Sequence, residues 1–269
     1  MYCARRSVTE LPGFAAHWPA PAWVRTWNTV REGGVSAGPY SSLNLGIRCG
    51  DDVQHVLENR RRVARALGVK PLWLHQVHGV TVLGVRPPQG SDPEPGSDPW
   101  GGLTPEPEAD AHVVHETDRA AVVLAADCMP LLFCTPQRRV VAAAHAGWRG
   151  MAAGILEATL EAMAVAPQDI MVWMGPTISQ SAFEVGDEVR TAFVAQSATA
   201  ASAFAPSNVS GKWQADLFAL ARQRLAACGV EKIYGGGRCT ASNPTQFYSH
   251  RRDRGVTGRM GSFIWMAGE

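Results

Sequence analysis

Three short segments of this 269-residue chain set reactive side chains beside glycine or proline, where a strand must turn or stop. The first is Leu74-His75-Gln76-Val77-His78-Gly79. Successive side chains of a regular strand point to opposite faces, so His75 and His78 cannot share one. His78 is the better candidate ligand, because Gly79 lets the chain turn and opens room beside its imidazole. The second is Ala126-Asp127-Cys128-Met129-Pro130. Pro130 donates no backbone hydrogen bond and drives Met129 out of helical geometry, so the chain breaks there and Cys128 can face a cleft. A thiolate attacks electrophiles and binds metals. The competing role, a small buried hydrophobe, suits Cys134 better. The third segment is Ala143-Ala144-His145-Ala146-Gly147-Trp148-Arg149-Gly150. An apolar run ends at His145, two glycines frame a turn, and a helix follows. Free N–H groups at the helix start and the planar fork of Arg149 favour an anion. A routine strand-to-helix turn with a solvated arginine is the alternative.

Two histidines and one cysteine at three strand ends suit zinc with an open fourth position, the form taken by catalytic zinc. Structural zinc closes its shell with four protein ligands. The intervals, 50 residues from His78 to Cys128 and 17 on to His145, match no compact finger and do not by themselves bring the three together. Cys128 as nucleophile with His145 as base uses the same residues for hydrolysis. Other motifs fail. Gly34-Val35-Ser36-Ala37-Gly38 spells GxSxG, but Pro39 stands where a nucleophile elbow needs a helix. HExxH, a Walker A loop and the HxE with PCxxC of nucleobase deaminases are absent.

The elements that must position these groups are legible from hydrophobic pattern. Trp23 to Val30 alternates like a strand, and Gly33 to Gly50 is turn-rich. Asp52 is set to cap a helix that Gly68 ends. Leu72 to His78 and Val80 to Val85 read as strands of a hairpin or bend. Ala120 to Ala126, Pro130 to Cys134 and Val140 to Ala144 are apolar runs of buried-strand length. Gly150 to Val165 has helical spacing, Ile170 to Met174 returns as a strand, and Val185 to Ala195 and Ala215 to Cys228 look helical. Lys232 to Tyr234 and Ser262 to Met266 look like closing strands. Strands and helices mix without strict alternation, so the fold class is α+β or layered α/β. The Pro/Gly-rich, acidic stretch from Pro87 to Pro107 buries little and reads as a mobile loop within one domain spanning residues 1–269, since proposed ligands lie on both sides.

Composition bounds the partners. Formal net charge is +1, from 25 basic and 24 acidic side chains, so nothing favours nucleic acid or an anionic membrane. An anionic substrate must be met by local arginines. The first residues, MYCARRSVTELPGF, do not fit a signal peptide, and no run spans a bilayer. Six scattered cysteines without a CxxC pair point to reduced thiols. The expected compartment is the cytoplasm.

LHQVHG, ADCMPLLF, AAHAGWRG, the GP…FEVG segment from Gly175 to Gly186, and CTASNPTQFYSHRRD…TGRMGSFIW resemble, in this order, the YfiH-like family. That family is also called the multicopper polyphenol oxidase or laccase-domain family and peptidoglycan editing factor. The resemblance runs from about Gly33 to the C-terminus. It implies a single layered α/β/β/α domain, similar to cysteine hydrolases of the cytotoxic necrotizing factor type. It places metal ligands on His78, Cys128 and His145. It implies phosphorolysis of purine nucleosides (adenosine, inosine, methylthioadenosine) and deamination of adenosine, with peptidoglycan-precursor editing attached to some members. TISQSAFEVG lacks the extra cysteine that many members carry there, which shifts weight away from a second thiol in the chemistry and leaves the three-ligand set undisturbed.

Zinc is the expected ion, with copper(II) the alternative in vitro. Multicopper oxidation needs HxH pairs, and none of the eight histidines forms one. Arg149 is the first phosphate candidate. Arg48, next to Asn44-Leu45-Gly46, is the second, with Arg251 and Arg252 behind. Gln76, Asn44 and Gly147 are further expected substrate contacts. Trp148, Tyr40 or Phe247 could wall a purine. The expected partners are a purine nucleoside and phosphate, on a monomer or weak homo-oligomer.

Overall fold

A computed structural model describes residues 11–85 and 106–268. The strands are β1 (Gly13–Phe14), β2 (Val24–Thr29), β3 (Lys70–Leu72), β4 (Val82–Val85), β5 (Ala111–Val114), β6 (Arg119–Ala125) and β7 (Met129–Cys134). They continue as β8 (Val141–Ala146), β9 (Met171–Met174), β10 (Glu184–Gly186), β11 (Phe204–Pro206), β12 (Lys212–Ala215), β13 (Lys232–Gly235) and β14 (Met260–Met266). The helices are α1 (Val53–Leu67), α2 (Trp148–Ala153), α3 (Ile155–Met163), α4 (Asp187–Val194) and α5 (Leu217–Ala227). None of the helices is long and apolar enough to cross a membrane. Most of the Pro87 to Pro107 stretch lies outside the described residues.

Two mixed sheets stack face to face. One runs β1-β2-β14-β6-β3, the other β13-β9-β7-β8-β5-β4; β10-β12-β11 is a small satellite. Val114, Val123, Leu132, Cys134, Val141, Ala143 and Ile264 fill the space between the two large sheets. The outer face of the six-stranded sheet packs Leu131, Phe133, Ala142 and Ala144 against Met151, Ile155, Leu160 and Leu220. The outer face of the five-stranded sheet packs Val122 and Phe263 against Val63 and Leu67 of α1. The order is helix, sheet, sheet, helix, the layering expected. It explains why β7 and β8 read as unbroken apolar runs: both faces of each strand are buried.

Local chemistry sets the boundaries. The Asp52 carboxylate accepts from Gln54 N–H at 2.8 Å and caps α1, and Gly68, at φ +69°, ends it. Gly154, at φ +108°, splits the expected 150–165 helix into α2 and α3. The expected 72–85 hairpin is a crossover instead. β3 joins β6 in one sheet and β4 joins β5 in the other. Residues 73–81 are held by an isolated parallel bridge, His75 to Glu108, and by side chains: the Gln76 amide donates to Leu124 O at 2.8 Å and accepts Leu124 N–H at 2.7 Å. The expected helix from Val185 begins only at Asp187, after β10.

Candidate active site

Strand register brings the first two ligands together. β7 and β8 are antiparallel, with Met129 opposite Ala146 and Pro130 opposite His145. Cys128, one step before β7, therefore faces Gly147, one step after β8. Contact is close: a Cβ on Gly147 would lie 2.8 Å from Cys128 Sγ and 2.8 Å from His78 Cδ2. Glycine at 147 keeps this space free for the metal ligands. Asp127, at φ +93°, makes the turn that presents Cys128. Its carboxylate accepts from Thr240 Oγ1 at 2.5 Å, Ser249 Oγ at 3.0 Å and Arg251 N–H at 2.7 Å, tying the 240–251 segment to the site.

The third ligand arrives through Asp110. β5 pairs with β8, Ala111 against Ala144, so Asp110 lies beside His145. His145 N–H donates to Asp110 O at 2.7 Å, and His145 Nδ1 donates to the Asp110 carboxylate at 2.8 Å. That bond leaves Nε2 for a metal. The same carboxylate accepts backbone N–H groups of Val77 at 3.2 Å, His78 at 3.0 Å and Gly79 at 2.7 Å. It thereby holds His78 at φ +62°, where its ring meets that of His145 at 4.8 Å between centroids. Helix α2 closes on this loop, since a Cβ on Gly150 would stand 3.1 Å from Gly79 O. His75 stands outside this group: it lines the same cavity, with its Nδ1 3.4 Å from the Glu108 carboxylate.

Cys128 Sγ and His78 Nε2 are 3.7 Å apart, and one donor atom from each of His78, Cys128 and His145 lies within 4.8 Å of the others. Ligands on one tetrahedral zinc, with bonds of roughly 2.0–2.3 Å, stand about 3.5 Å apart. Burial opposes ionisation of the Cys128 thiol, but the imidazoles of His145 and His78 outweigh it and bring it down to about 6. Burial likewise opposes an imidazolium at His145, yet the Cys128 sulfur and the Asp110 carboxylate push it up to about 9. Asp110 is held below the usual carboxylate range despite burial, by His145 and the backbone N–H groups. By contrast, burial alone pushes the Cys134 thiol up to about 12, as befits a core residue. The donor set, the glycine cradle and the oriented imidazole fit a three-ligand metal ion.

The three ligands open on a cavity of about 520 Å³, also lined by Gln76, Leu124, Trp148, Phe183, Ile178 and the arginines Arg48, Arg149, Arg251 and Arg259. Arg149 lies over the Trp148 ring at 4.5 Å and forms no ion pair among the described residues. Arg251 reaches Glu184 O at 2.7 Å. Five expected contacts stand back from the cavity, Gly147 among them, pressed against Cys128 Sγ and His78. Asn44 is fully buried, its amide donating to Gly46 O and Asp51 and accepting from Gly46 N–H and Arg259 N–H. Arg252 is spent on Asp253 and on the carbonyls of Thr240 and Phe247. Tyr40 donates to Cys49 O, and Phe247 is packed in the core. Asp110, and His250, which lines the cavity, are not singled out by the sequence motifs. The signal for Asp110 is faint: an acid just before the short Ala111-His112-Val113-Val114 segment.

The family described as multi-copper polyphenol oxidoreductase laccase matches residues 25–267. A protein of Pseudomonas aeruginosa named purine nucleoside phosphorylase is 48% identical over 93% of this chain and 96% of its own length. Purine nucleoside phosphorylase YfiH of Escherichia coli is also 48% identical, with the same coverage. Among solved structures, a Neisseria meningitidis protein superposes with a TM-score of 0.86 at 44% identity, covering 95% of this chain and 99% of that one. YlmD of Geobacillus stearothermophilus gives 0.78 at 35% identity, covering 93% and 94%. With near-complete coverage in both directions, and the conjunction of cysteine and histidines built into its paired strand ends, the chain belongs to the laccase-domain, YfiH-like family.

Proposed function

We propose that this protein is a zinc-dependent purine nucleoside phosphorylase that cleaves adenosine, inosine and methylthioadenosine and also deaminates adenosine. The observation that carries this reading is the His78, Cys128 and His145 set on the wall of a cavity that combines aromatic and aliphatic surface with arginines. The names of the relatives agree with its phosphorylase part. Zinc held there would supply Lewis acidity to a substrate oxygen or a water. In phosphorolysis a phosphate oxygen bonds to C1′ as the C1′–N9 bond breaks, and the purine leaves with the electron pair and takes a proton. Trp148 and Phe183 supply aromatic surface to the wall the base would meet, and Arg149 has no ion pair among the described residues that phosphate would have to break. In deamination water adds at C6 and ammonia leaves, with no anion to bind.

Adenosine with phosphate should give adenine and ribose 1-phosphate, and inosine without phosphate. Arg149→Ala should impair phosphorolysis more than deamination, and His145→Ala should abolish both. Equal loss in folded, zinc-loaded Arg149→Ala would end the phosphate assignment. A second reading rests on the low Cys128 thiol beside an Asp110-oriented imidazole, the arrangement of a Cys/His hydrolase acting on peptidoglycan precursors. Cleavage of a muramyl-peptide amide through a Cys128 adduct, with no nucleoside turnover, would favour it.

A further inference from the structure

Part of the same cavity wall is a fork of two guanidinium groups closed on a carboxylate. Arg60 of α1 is buried, with 1% of its surface exposed. Its Nε donates to Leu45 O at 2.9 Å, and its guanidinium plane lies 4.1 Å from the Trp73 ring. Its Nη1 donates to Glu106 Oε1 at 2.6 Å. Arg48, about half exposed, donates to the other oxygen, Glu106 Oε2. Arg48, Arg60 and Glu106 all line the cavity that holds the candidate metal ligands.

The two arginines differ in what they need. A buried guanidinium requires a counter-charge, so the pairing of Arg60 with Glu106 is structural. Arg48 has water for an alternative, and an exposed ion pair holds weakly. Two guanidinium groups converging on two oxygens of one anion is also how proteins bind phosphate. A carboxylate spans that fork with one charge, and a phosphate dianion with two. The Arg60–Glu106 contact is kept, and Arg48, once released from Glu106, presents an unmatched guanidinium to the cavity.

We infer that Glu106 is an internal stand-in for an inorganic anion: phosphate enters the cavity by displacing its carboxylate from Arg48, and Glu106 sets how much phosphate that takes. This rests on the phosphorylase reading for its purpose, though not for its test. Arg149 and Arg48 then have separate duties. Arg149 is open to the anion at any time, and Arg48 closes on it only after exchanging its partner.

The test is calorimetric binding of inorganic phosphate to the full, zinc-loaded protein without nucleoside, so it reads the fork whether or not turnover occurs. Glu106→Gln keeps an acceptor for Arg60 and removes the competing charge. It should tighten phosphate about tenfold, the worth of one charge-assisted contact. Arg48→Ala, at an exposed position, should cancel that gain in the double variant. Phosphate binding in folded Glu106→Gln that is unchanged or weaker would overturn the inference and leave Glu106 only as counter-charge to Arg60. If Glu106→Gln does not fold, Arg48→Ala alone decides: weaker phosphate binding supports the fork, and unchanged binding refutes it. Tighter phosphate binding with no nucleoside cleavage would uphold the fork and reject the phosphorylase reading.

Discussion

Asp110→Asn removes one charge and almost no volume, and its consequences can be worked out from four distances. In the native site Oδ1 accepts from His78 N–H at 3.0 Å and His145 Nδ1 at 2.8 Å, and Oδ2 accepts from Val77 N–H at 3.2 Å and Gly79 N–H at 2.7 Å. An amide offers one acceptor oxygen and one NH₂ donor. With NH₂ at the Oδ2 position, two backbone donors face a donor and the His78 loop is released. With NH₂ at the Oδ1 position, His145 Nδ1 must lose its proton to accept, which puts the proton on Nε2 and disables that metal ligand. Either way two bonds to a buried charge are lost, at roughly 1.5–3 kcal/mol each. Stability should fall by about 3 kcal/mol or more, or roughly 6 °C or more in Tm for a chain of this size. Zinc affinity should fall about 10- to 100-fold, as expected when the partner of a metal-binding histidine is changed. Thermal melts of metal-free protein and a zinc titration against a chromophoric chelator measure the two. A variant with native Tm and native zinc affinity would refute the role of Asp110 as organiser of the site.

Cys128→Ser should reduce zinc from about one per chain to near none while the far-ultraviolet dichroism stays native; full retention would remove Cys128 from the ligand set. Gly147→Ala keeps an accessible backbone, at φ −68°, but brings a methyl group to 2.8 Å from both Cys128 Sγ and His78 Cδ2. Overpacking of about 1–3 kcal/mol should appear as zinc binding weaker by roughly 5- to 150-fold, checked in the same chelator competition. The pH dependence of zinc binding follows from the pair's titration. Between about 6 and 9 the metal-free site holds a thiolate and a His145 imidazolium, and zinc requires the imidazolium proton to leave. Affinity should therefore rise about tenfold per pH unit across that range and level off above 9, with one proton released from this pair per zinc. Calorimetry in buffers of different ionisation enthalpy counts that proton, and a count of zero would contradict the ion pair.

Much of the site was legible in the sequence because its parts sit at strand ends that glycine and proline mark. Cys128 before Met129-Pro130 and His145 before Gly147 stood out for that reason. Their convergence was not legible, since it depends on the β7/β8 register, and a one-residue slip would move Cys128 to the other face. Asn44 shows the opposite difficulty. A polar residue in a glycine turn reads as a substrate contact, and only the three-dimensional structure reveals that its own loop and Arg259 use its amide. The 72–85 segment misled because its two ends are strands of different sheets, and the stretch between them is held largely by the Asp110 carboxylate and by Leu124 through Gln76, which no periodicity records. β11 and β12 carry too few apolar residues to announce themselves.

The sheet behind the metal-ligand strands has a folding consequence. β14, residues 260–266, lies in its middle and pairs with residues 24–28 on one side and 120–125 on the other. Ser262 meets Asn28 across more than 230 residues of chain. Contacts of such sequence separation demand closure of very long loops before any ladder bond forms, which slows folding. On the ribosome, β2 and β6 emerge long before the strand that joins them and must wait with open edges, while the β7/β8 hairpin that carries Cys128 and His145 needs only local closure. The metal-ligand hairpin can therefore form early, and the sheet that shields it is completed late.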